Sequence, residues 1–143
     1  MKILVSACLL GCPCRYDGQS KPCAALLELQ KEHTLIPVCP EQMGGLATPR
    51  PPAERQAEGV FTQSGTDVTE QYRRGAEEAL RLYRLYGCDC AVLKEKSPSC
   101  GSGQIYDGSF SRRLTAGDGV TAALLKANGI PVHGESEASK WIK

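Results

Sequence analysis

The sequence predicts a small α/β fold, in which a single-layer parallel sheet of about four to five strands carries helices on both faces, in a Rossmann-like or flavodoxin-like arrangement. Short β-prone runs alternate with amphipathic helical segments along the whole chain, and this alternation is typical of right-handed crossovers between parallel strands. A length of 143 residues suits one α/β domain, 1–143, rather than two. Hydrophobic residues make up 41% and charged residues 23%, which excludes disordered and collagen-like classes.

Two strands joined by a helix are predicted at the start of the chain. Residues 3–7 (Ile-Leu-Val-Ser-Ala) form a β-prone run and predict a buried first strand. Apolar residues then recur at helical spacing over about 23–32, which predicts a helix. The run 34–38 predicts a second strand, which ends before Pro40. Residues 40–67 contain four prolines and four glycines with little periodicity, so we expect a functional loop there.

A long amphipathic helix is predicted over about 68–86. Asp67 is placed to cap its first turn, with Glu70 reaching back as in a capping box. Apolar residues recur along it at intervals of three and four, as in a helix that faces the core, and Gly87 is a suitable C-terminal cap.

The last third of the chain repeats the strand–helix pattern. Residues 90–93 predict a third strand, followed by a glycine-rich loop over 94–117. Asp118 is placed to cap a helix that ends at Gly129. Residues 130–133 predict a fourth strand, and a short tail helix is expected from about 135.

Charge and hydropathy restrict the possible partners. The 17 Lys and Arg residues against 16 Asp and Glu residues give a net charge of +1, so the broad basic field of non-specific nucleic-acid binding is missing. The longest apolar runs are only about four or five residues, too short for a signal peptide or a membrane span. We therefore expect a cytoplasmic protein with a small-molecule partner and no membrane partner. The near-neutral charge argues against a nucleic acid as the partner without excluding it.

Eight cysteines are unusual in such a chain. Disulfides are disfavoured in a reducing cytosol, which leaves packing, metal or cluster ligation, or catalysis. The close pairs have C-x-C rather than C-x-x-C spacing, which argues against zinc ribbons and thioredoxin-like sites. Cys23 and Cys88 are predicted to pack, and Cys90 to lie in the core. Cys12 and Cys14 have the spacing for a fourth ligand or a resolving thiol, although we favour no function for either. The cysteines lie at positions 8, 12, 14, 23, 39, 88, 90 and 100.

Three of these cysteines follow three different predicted strands. Cys8, Cys39 and Cys100 come after the first, second and third strands, and the carboxyl ends of parallel strands form the ligand-binding edge of an open sheet. Three thiolates converging there suit an iron–sulfur cluster with one iron open to substrate. The alternative from spacing alone is that all three are buried apolar thiols.

Polar side chains are predicted at the same edge. Asp17 follows the first strand, Glu41 lies two residues after Cys39, and Ser97 and Ser99 precede Cys100. Carboxylates beside a water-excluded cluster are candidate general acids or bases, and the alternative for Asp17 is a simple turn. Neither G-x-G-x-x-G nor G-x-x-x-x-G-K-[ST] occurs, so a usual dinucleotide or ATP site is not indicated.

Five motifs together resemble the stand-alone form of the family long called domain of unknown function 523. The resemblance covers nearly the whole chain, and this family is similar to thiouracil desulfurases (desulfidases) that carry a 4Fe-4S cluster on three cysteines. It implies that Cys8, Cys39 and Cys100 are the ligands and that Asp17, Glu41 and either Ser97 or Ser99 take part in catalysis. The motifs are Ser6-Ala-Cys-Leu-Leu-Gly11, Cys14-Arg-Tyr-Asp-Gly18, Val38-Cys-Pro-Glu41 with Gly44-Gly45-Leu46 and Pro49-Arg50, Lys94-Glu-Lys-Ser-Pro-Ser-Cys-Gly-Ser-Gly103 and Gly117-Asp-Gly-Val-Thr121.

The resemblance implies an enzyme that removes sulfur from thiouracil or a related thiolated nucleobase without redox change and releases hydrogen sulfide. Two alternatives remain. One keeps the enzyme but moves the substrate to thiolated tRNA, with Arg15, Arg50, Arg112 and Arg113 on phosphates. The other is a non-catalytic module that holds a cluster or zinc.

Overall fold

The computed structural model describes residues 1–141 and contains a four-stranded parallel sheet with two separate hairpins. Strands and helices are numbered in chain order. They are β1 (Lys2–Ser6), a 3₁₀ turn (Ala7–Leu10), α1 (Ala24–Leu29), β2 (Thr34–Val38), α2 (Pro40–Met43), β3 (Ala53–Gln56), β4 (Gly59–Thr62), α3 (Thr69–Tyr86), β5 (Cys90–Leu93), β6 (Gln104–Tyr106), β7 (Leu114–Ala116), α4 (Val120–Ala127), β8 (Val132–Gly134), a second 3₁₀ turn (Glu135–Glu137) and α5 (Ala138–Trp141).

The main sheet has the strand order β2-β1-β5-β8, and all three pairings are parallel. The β1 strand lies between β2 and β5, so the order of the strands reverses beside it. Ligand sites in open α/β sheets lie at such a reversal, outside the carboxyl ends of the strands. The predicted α/β class and parallel sheet are confirmed.

Both faces of the sheet are covered, because side chains along a strand alternate between the faces. Ile3 and Val5 of β1 belong to one buried cluster with Leu26 of α1. Leu4, between them in sequence, belongs to a second cluster with Ala79 of α3 and with residues of α4. The short, apolar strands of this chain are therefore the centre of two cores, as the predicted helix–sheet–helix layering requires.

The long helix was predicted correctly, but its N-terminus differs from the capping box. Val68 is the N-cap residue and makes no side-chain cap. Asp67 Oδ1 instead accepts a hydrogen bond from the Thr69 backbone N–H at 2.9 Å, and Glu70 pairs with Arg73 one turn on. The C-terminus is as predicted, since Gly87 adopts a left-handed conformation with φ 63°.

The two predicted loops contain regular structure, which corrects the prediction. The segment 40–67 holds α2 and an antiparallel hairpin of β3 and β4. The segment 94–117 holds a second hairpin of β6 and β7. These strands are only three or four residues long, too short for the apolar alternation by which strands are recognised.

The predicted cap of α4 is also wrong. Gly119 occupies the N-cap position without a side-chain cap. The Asp118 carboxylate lies outside the helix terminus, where Oδ1 accepts hydrogen bonds from the Gly103 N–H and from Lys126 Nζ, both at 2.8 Å. Asp118 therefore ties the β6–β7 hairpin to α4.

None of the helices within residues 1–141 has the length and apolarity needed to cross a membrane.

Helices α2 and α3 cross unusually closely. A Cβ atom built on Gly75 of α3 would lie 1.9 Å from the Pro40 carbonyl oxygen, and one on Gly44 would lie 1.9 Å from the Gln71 carbonyl oxygen. Only glycine fits at both positions, because backbone touches backbone there. The crossing brings Tyr72 of α3 next to the first turn of α2, where Glu41 lies.

The Gly75→Ala variant is expected to be less stable than the wild type by about 2 kcal/mol. Helix propensity alone would make the alanine variant more stable by about 1 kcal/mol. Overpacking against the Pro40 carbonyl works in the opposite direction and costs more. A loss of stability would therefore report the clash. Urea unfolding measures the difference, with Glu77→Ala at an exposed position of the same helix as the control. A Gly75→Ala variant as stable as this control would contradict the close crossing.

Candidate active site

A cavity of about 640 Å³ lies at the carboxyl end of the sheet. Its size is within the range of small-molecule sites. The loops after β1, β2 and β5 all contribute to its wall, and so do both hairpins. The cysteines that line it are Cys8, Cys14, Cys39 and Cys100.

The fold brings the three predicted ligand cysteines to this cavity from three separate loops. Cys8 lies in the 3₁₀ turn after β1, Cys39 joins β2 to α2, and Cys100 follows β5. All three are free thiols, and Cys8 and Cys100 are buried. Three cysteine thiols from distant parts of the sequence therefore line the same cavity.

The turn before Cys100 is shaped by a serine. Ser97 Oγ accepts hydrogen bonds from the backbone N–H groups of Ser99 and Cys100, each at 3.1 Å. Because this oxygen is used as an acceptor, the hydroxyl proton of Ser97 remains available to a molecule in the cavity that it lines. Ser99 is fully buried and bonded through Oγ to Thr121 Oγ1 at 2.8 Å. Of the two predicted serines, Ser97 borders the cavity and Ser99 fastens its loop to α4.

Glu41 lies in the first turn of α2 and lines the cavity. Its Oε1 atom accepts a hydrogen bond from the Tyr72 hydroxyl at 2.6 Å and one from Arg50 Nε at 3.2 Å. Both hydrogen bonds converge on the same oxygen, and the Oε2 atom receives neither of them. Glu41 is thus a carboxylate beside Cys39 with one oxygen already engaged by the protein.

Arg50 connects Glu41 to the cysteine loops. Its side chain is only 5% exposed, and Nη2 donates to the Cys14 carbonyl oxygen at 2.8 Å while Nη1 donates to Thr48 Oγ1 at 2.8 Å. The Cys39 thiol also lies 3.7 Å from that Cys14 carbonyl. A buried guanidinium therefore holds the turn after β1, the loop after α2 and the candidate acid–base residue together.

Asp17 lies apart from these groups. It is exposed and outside the residues that line the cavity. Its Oδ1 atom accepts a hydrogen bond from the Gln19 N–H at 3.0 Å, which makes a local turn. This hydrogen bond is that of the simple-turn alternative for Asp17. Asp17 Oδ2 also lies 3.9 Å from Nη1 of Arg15, which lines the cavity.

The protein environment raises the pKa of three of the cavity thiols, those of Cys14, Cys39 and Cys100. Burial raises the pKa of Cys100 to about 12. At Cys14 a hydrogen bond with Cys39 lowers the pKa, but contact with Cys8 and burial outweigh it and raise the pKa to about 11. The hydrogen bond with Cys14, together with burial, also raises the pKa of Cys39. Metal ligation requires thiolates, so filling the site must release protons and is favoured at higher pH.

The donor set fits an iron–sulfur cluster. Residues 1–141 contain no group of three His, Cys, Asp or Glu side chains that could hold one metal ion. A cluster needs no such group, because each cysteine binds a different iron. Cys8, Cys39 and Cys100 would hold it, since thiolates are the usual ligands of these clusters and all three border one cavity.

Three of the remaining cysteines, Cys23, Cys88 and Cys90, lie as predicted. Cys23 and Cys88 pack against the two cores, Cys90 is buried in β5, and Cys12 is exposed. Cys14, for which we favoured no function, lines the cavity beside the predicted ligands. Its spacing in the sequence suggested a possible ligand, but only the fold shows that it borders the site.

Part of the cavity wall is formed by residues that sequence reasoning missed. Glu54 of β3 accepts hydrogen bonds through Oε1 from the N–H groups of Gly108 and Phe110, at 2.9 and 3.2 Å. Arg55 donates to the Asp118 carbonyl oxygen at 2.6 Å. These contacts link the two hairpins, and Glu54 and Phe110 line the cavity. No local sequence signal marks them, because the partners lie more than 50 residues apart.

Comparison with known proteins gives three matches. A family model described as 2-thiouracil desulfurase matches residues 3–137. The Bacillus subtilis (strain 168) protein YbbK, described as uncharacterized, is 43% identical over 145 residues, which cover 94% of this chain and 96% of YbbK. A solved structure, the [4Fe-4S]-dependent thiouracil desulfidase TudS (DUF523Vcz), is 56% identical with a TM-score of 0.90, and the match covers 95% of this chain and 91% of that one. The family resemblance found in the sequence is confirmed.

Proposed function

This chain belongs to the 2-thiouracil desulfurase family, and from that premise we propose that it hydrolyses the thiocarbonyl group of thiouracil, or of a closely related thiolated nucleobase, to the oxo group with release of hydrogen sulfide. The observation that carries the proposal is the single cavity shared by Cys8, Cys39, Cys100, Glu41 and Ser97. The TudS structure, named as [4Fe-4S]-dependent, supports a 4Fe-4S cluster on the three cysteines. When bound, the cluster supplies an open iron that accepts sulfur.

The reaction needs no oxidant or reductant. Water supplies the oxygen of the new carbonyl, the carbon–sulfur bond breaks, and the sulfur leaves with two protons as hydrogen sulfide. What the protein must provide is a group that takes a proton from water and delivers a proton to the departing group or to the ring nitrogen. A carboxylate within the cavity can do both in turn.

Glu41 is the residue that we assign to this proton transfer. Its Oε1 atom is held by Tyr72 and Arg50, so Oε2 is the oxygen that can meet water or the base. Asp17, outside the cavity wall, is not assigned a catalytic role. The carboxylate lies two residues from Cys39, so the proton-transfer group and the sulfur acceptor would act on the same end of the substrate.

We assign Ser97 the role of donating a hydrogen bond to the negative charge that develops on the substrate. Its oxygen is already an acceptor for two backbone N–H groups, which leaves its proton for the substrate. A preorganised donor of this kind stabilises a tetrahedral intermediate at the carbon. Ser99 contributes indirectly, through its bond to Thr121, by holding the turn that carries Ser97 and Cys100.

The test is anaerobic reconstitution of the full chain with iron and sulfide, followed by incubation with 2-thiouracil. We expect about four irons per chain and formation of uracil and sulfide in equal amounts, with no turnover by the apoprotein. Iron uptake without turnover would contradict the proposed activity and favour a non-catalytic module that binds a cluster. A colourless protein that binds zinc would contradict both the activity and the cluster. Thiolated tRNA is tested in parallel, because desulfuration with a strong salt dependence would move the substrate to RNA.

A further inference from the structure

Tyr72 makes the shorter of the two hydrogen bonds to Glu41. Its hydroxyl lies 2.6 Å from Glu41 Oε1, although the two residues are 31 positions apart. In the described part of the chain, Oε1 receives both protein hydrogen bonds and Oε2 receives none. The Tyr72 bond therefore helps to decide which carboxylate oxygen is left for a molecule in the cavity.

The tyrosine itself is rigidly held. Its side chain is 2% exposed and packs in a buried cluster with Val60 and Val68. The close crossing at Gly75, one turn along α3, sets the distance between this helix and α2. The hydroxyl is consequently fixed relative to Glu41 before any ligand binds.

Arg50 approaches the same oxygen from a different element. Its Nε atom lies 3.2 Å from Oε1, and its other nitrogens are committed to Cys14, Ala47 and Thr48. Two donors from independent directions restrict rotation of the carboxylate more than either does alone. Arg50 also holds the cysteine loops, whereas the Tyr72 hydroxyl bonds to Glu41, so Tyr72 is the donor to remove in a test of the orientation of Glu41.

We propose that Tyr72 is a positioning residue, which orients the Glu41 carboxylate so that Oε2 faces the reacting end of the substrate. This inference rests on the proposed function, in which Glu41 transfers the protons. Tyr72 lines the cavity too, but its hydroxyl is occupied by Glu41. Small errors in the position of a catalytic group have large effects on rate, up to about 100-fold for about 1 Å.

The experiment compares Tyr72→Phe with Tyr83→Phe, a matched control on the same helix in which the hydroxyl is remote from Glu41. In the reconstituted enzymes we expect Tyr72→Phe to lower kcat by about tenfold or more, with KM within about twofold. Iron content and the visible spectrum are expected to equal those of the wild type. In the Glu41→Gln background the same change is expected to cause no further loss, because Tyr72 acts through Glu41.

A second readout is independent of turnover. Crystal structures of the apoproteins are expected to show one orientation of the Glu41 carboxylate in the wild type and a rotated or split carboxylate in Tyr72→Phe. An unchanged carboxylate, a wild-type kcat, or an equal fold-loss with and without Glu41 would each overturn the proposal. If the wild type does not desulfurate thiouracil, the proposed function fails, while the apoprotein structures still decide the role of Tyr72.

Discussion

The Cys39→Ala variant is expected to bind no cluster and to have no measurable desulfuration activity, and Cys8→Ala and Cys100→Ala are expected to behave in the same way. Each cysteine would supply the thiolate for a different iron, so the loss of one leaves a second iron without a protein ligand. Cys8 and Cys100 belong to the two buried clusters, but all three thiols also border the cavity. The apoproteins are expected to fold, because each change removes a single sulfur atom.

The measurement is iron and sulfide per chain after anaerobic reconstitution, together with the visible absorbance. Cys12→Ala is the matched control, since Cys12 is an exposed cysteine near the same loop. This control is expected to retain about four irons per chain. A Cys39→Ala protein with a full cluster would show that another thiol is the ligand, and Cys14, which hydrogen-bonds with Cys39, would then be the residue to replace.

The Glu41→Gln variant is expected to keep the cluster and to have a kcat lower by a factor of about 10² to 10⁴, the range typical of general acid–base residues. Glutamine has the shape of glutamate, and its oxygen can still accept the hydrogen bonds of Tyr72 and Arg50. What it lacks is the ability to take a proton from water. The change therefore separates proton transfer from the architecture of the site.

Steady-state kinetics with 2-thiouracil and an iron determination on the same sample measure this effect. Glu58→Gln, at an exposed position, is the control for the chemical change alone and is expected to behave as the wild type. Full activity of Glu41→Gln at normal iron content would remove Glu41 from the mechanism. A loss of iron instead would show that Glu41 supports the cysteine loop and not the chemistry.

The main α/β framework could be predicted from the sequence because its signals are local. The apolar run before Cys8 and the three-and-four periodicity of α3 depend on neighbouring residues only, and the main strands appear within one or two residues of their predicted ends. The two hairpins could not be predicted in this way. Their strands are three or four residues long, and contacts such as Glu54 with Gly108 and Phe110 hold them across more than 50 residues.

The candidate site, too, has features that local sequence signals predict and features that depend on long-range contacts. The sequence by itself determined that Cys8, Cys39 and Cys100 follow three parallel strands, because strand direction places such positions at one edge of a sheet. It also determined the family, through motifs that span the chain. It did not distinguish Ser97 from Ser99, or Glu41 from Asp17, because each pair consists of similar side chains in similar local contexts.

Only the tertiary structure places the members of each pair in different surroundings. Ser99 turns inward to Thr121 while Ser97 borders the cavity, and Tyr72, predicted only as part of a core-facing helix, reaches Glu41 because two glycines let α2 and α3 touch. Hydrogen bonds and close approaches between residues 22 to 35 positions apart depend on how elements pack, and local sequence patterns carry no record of that packing.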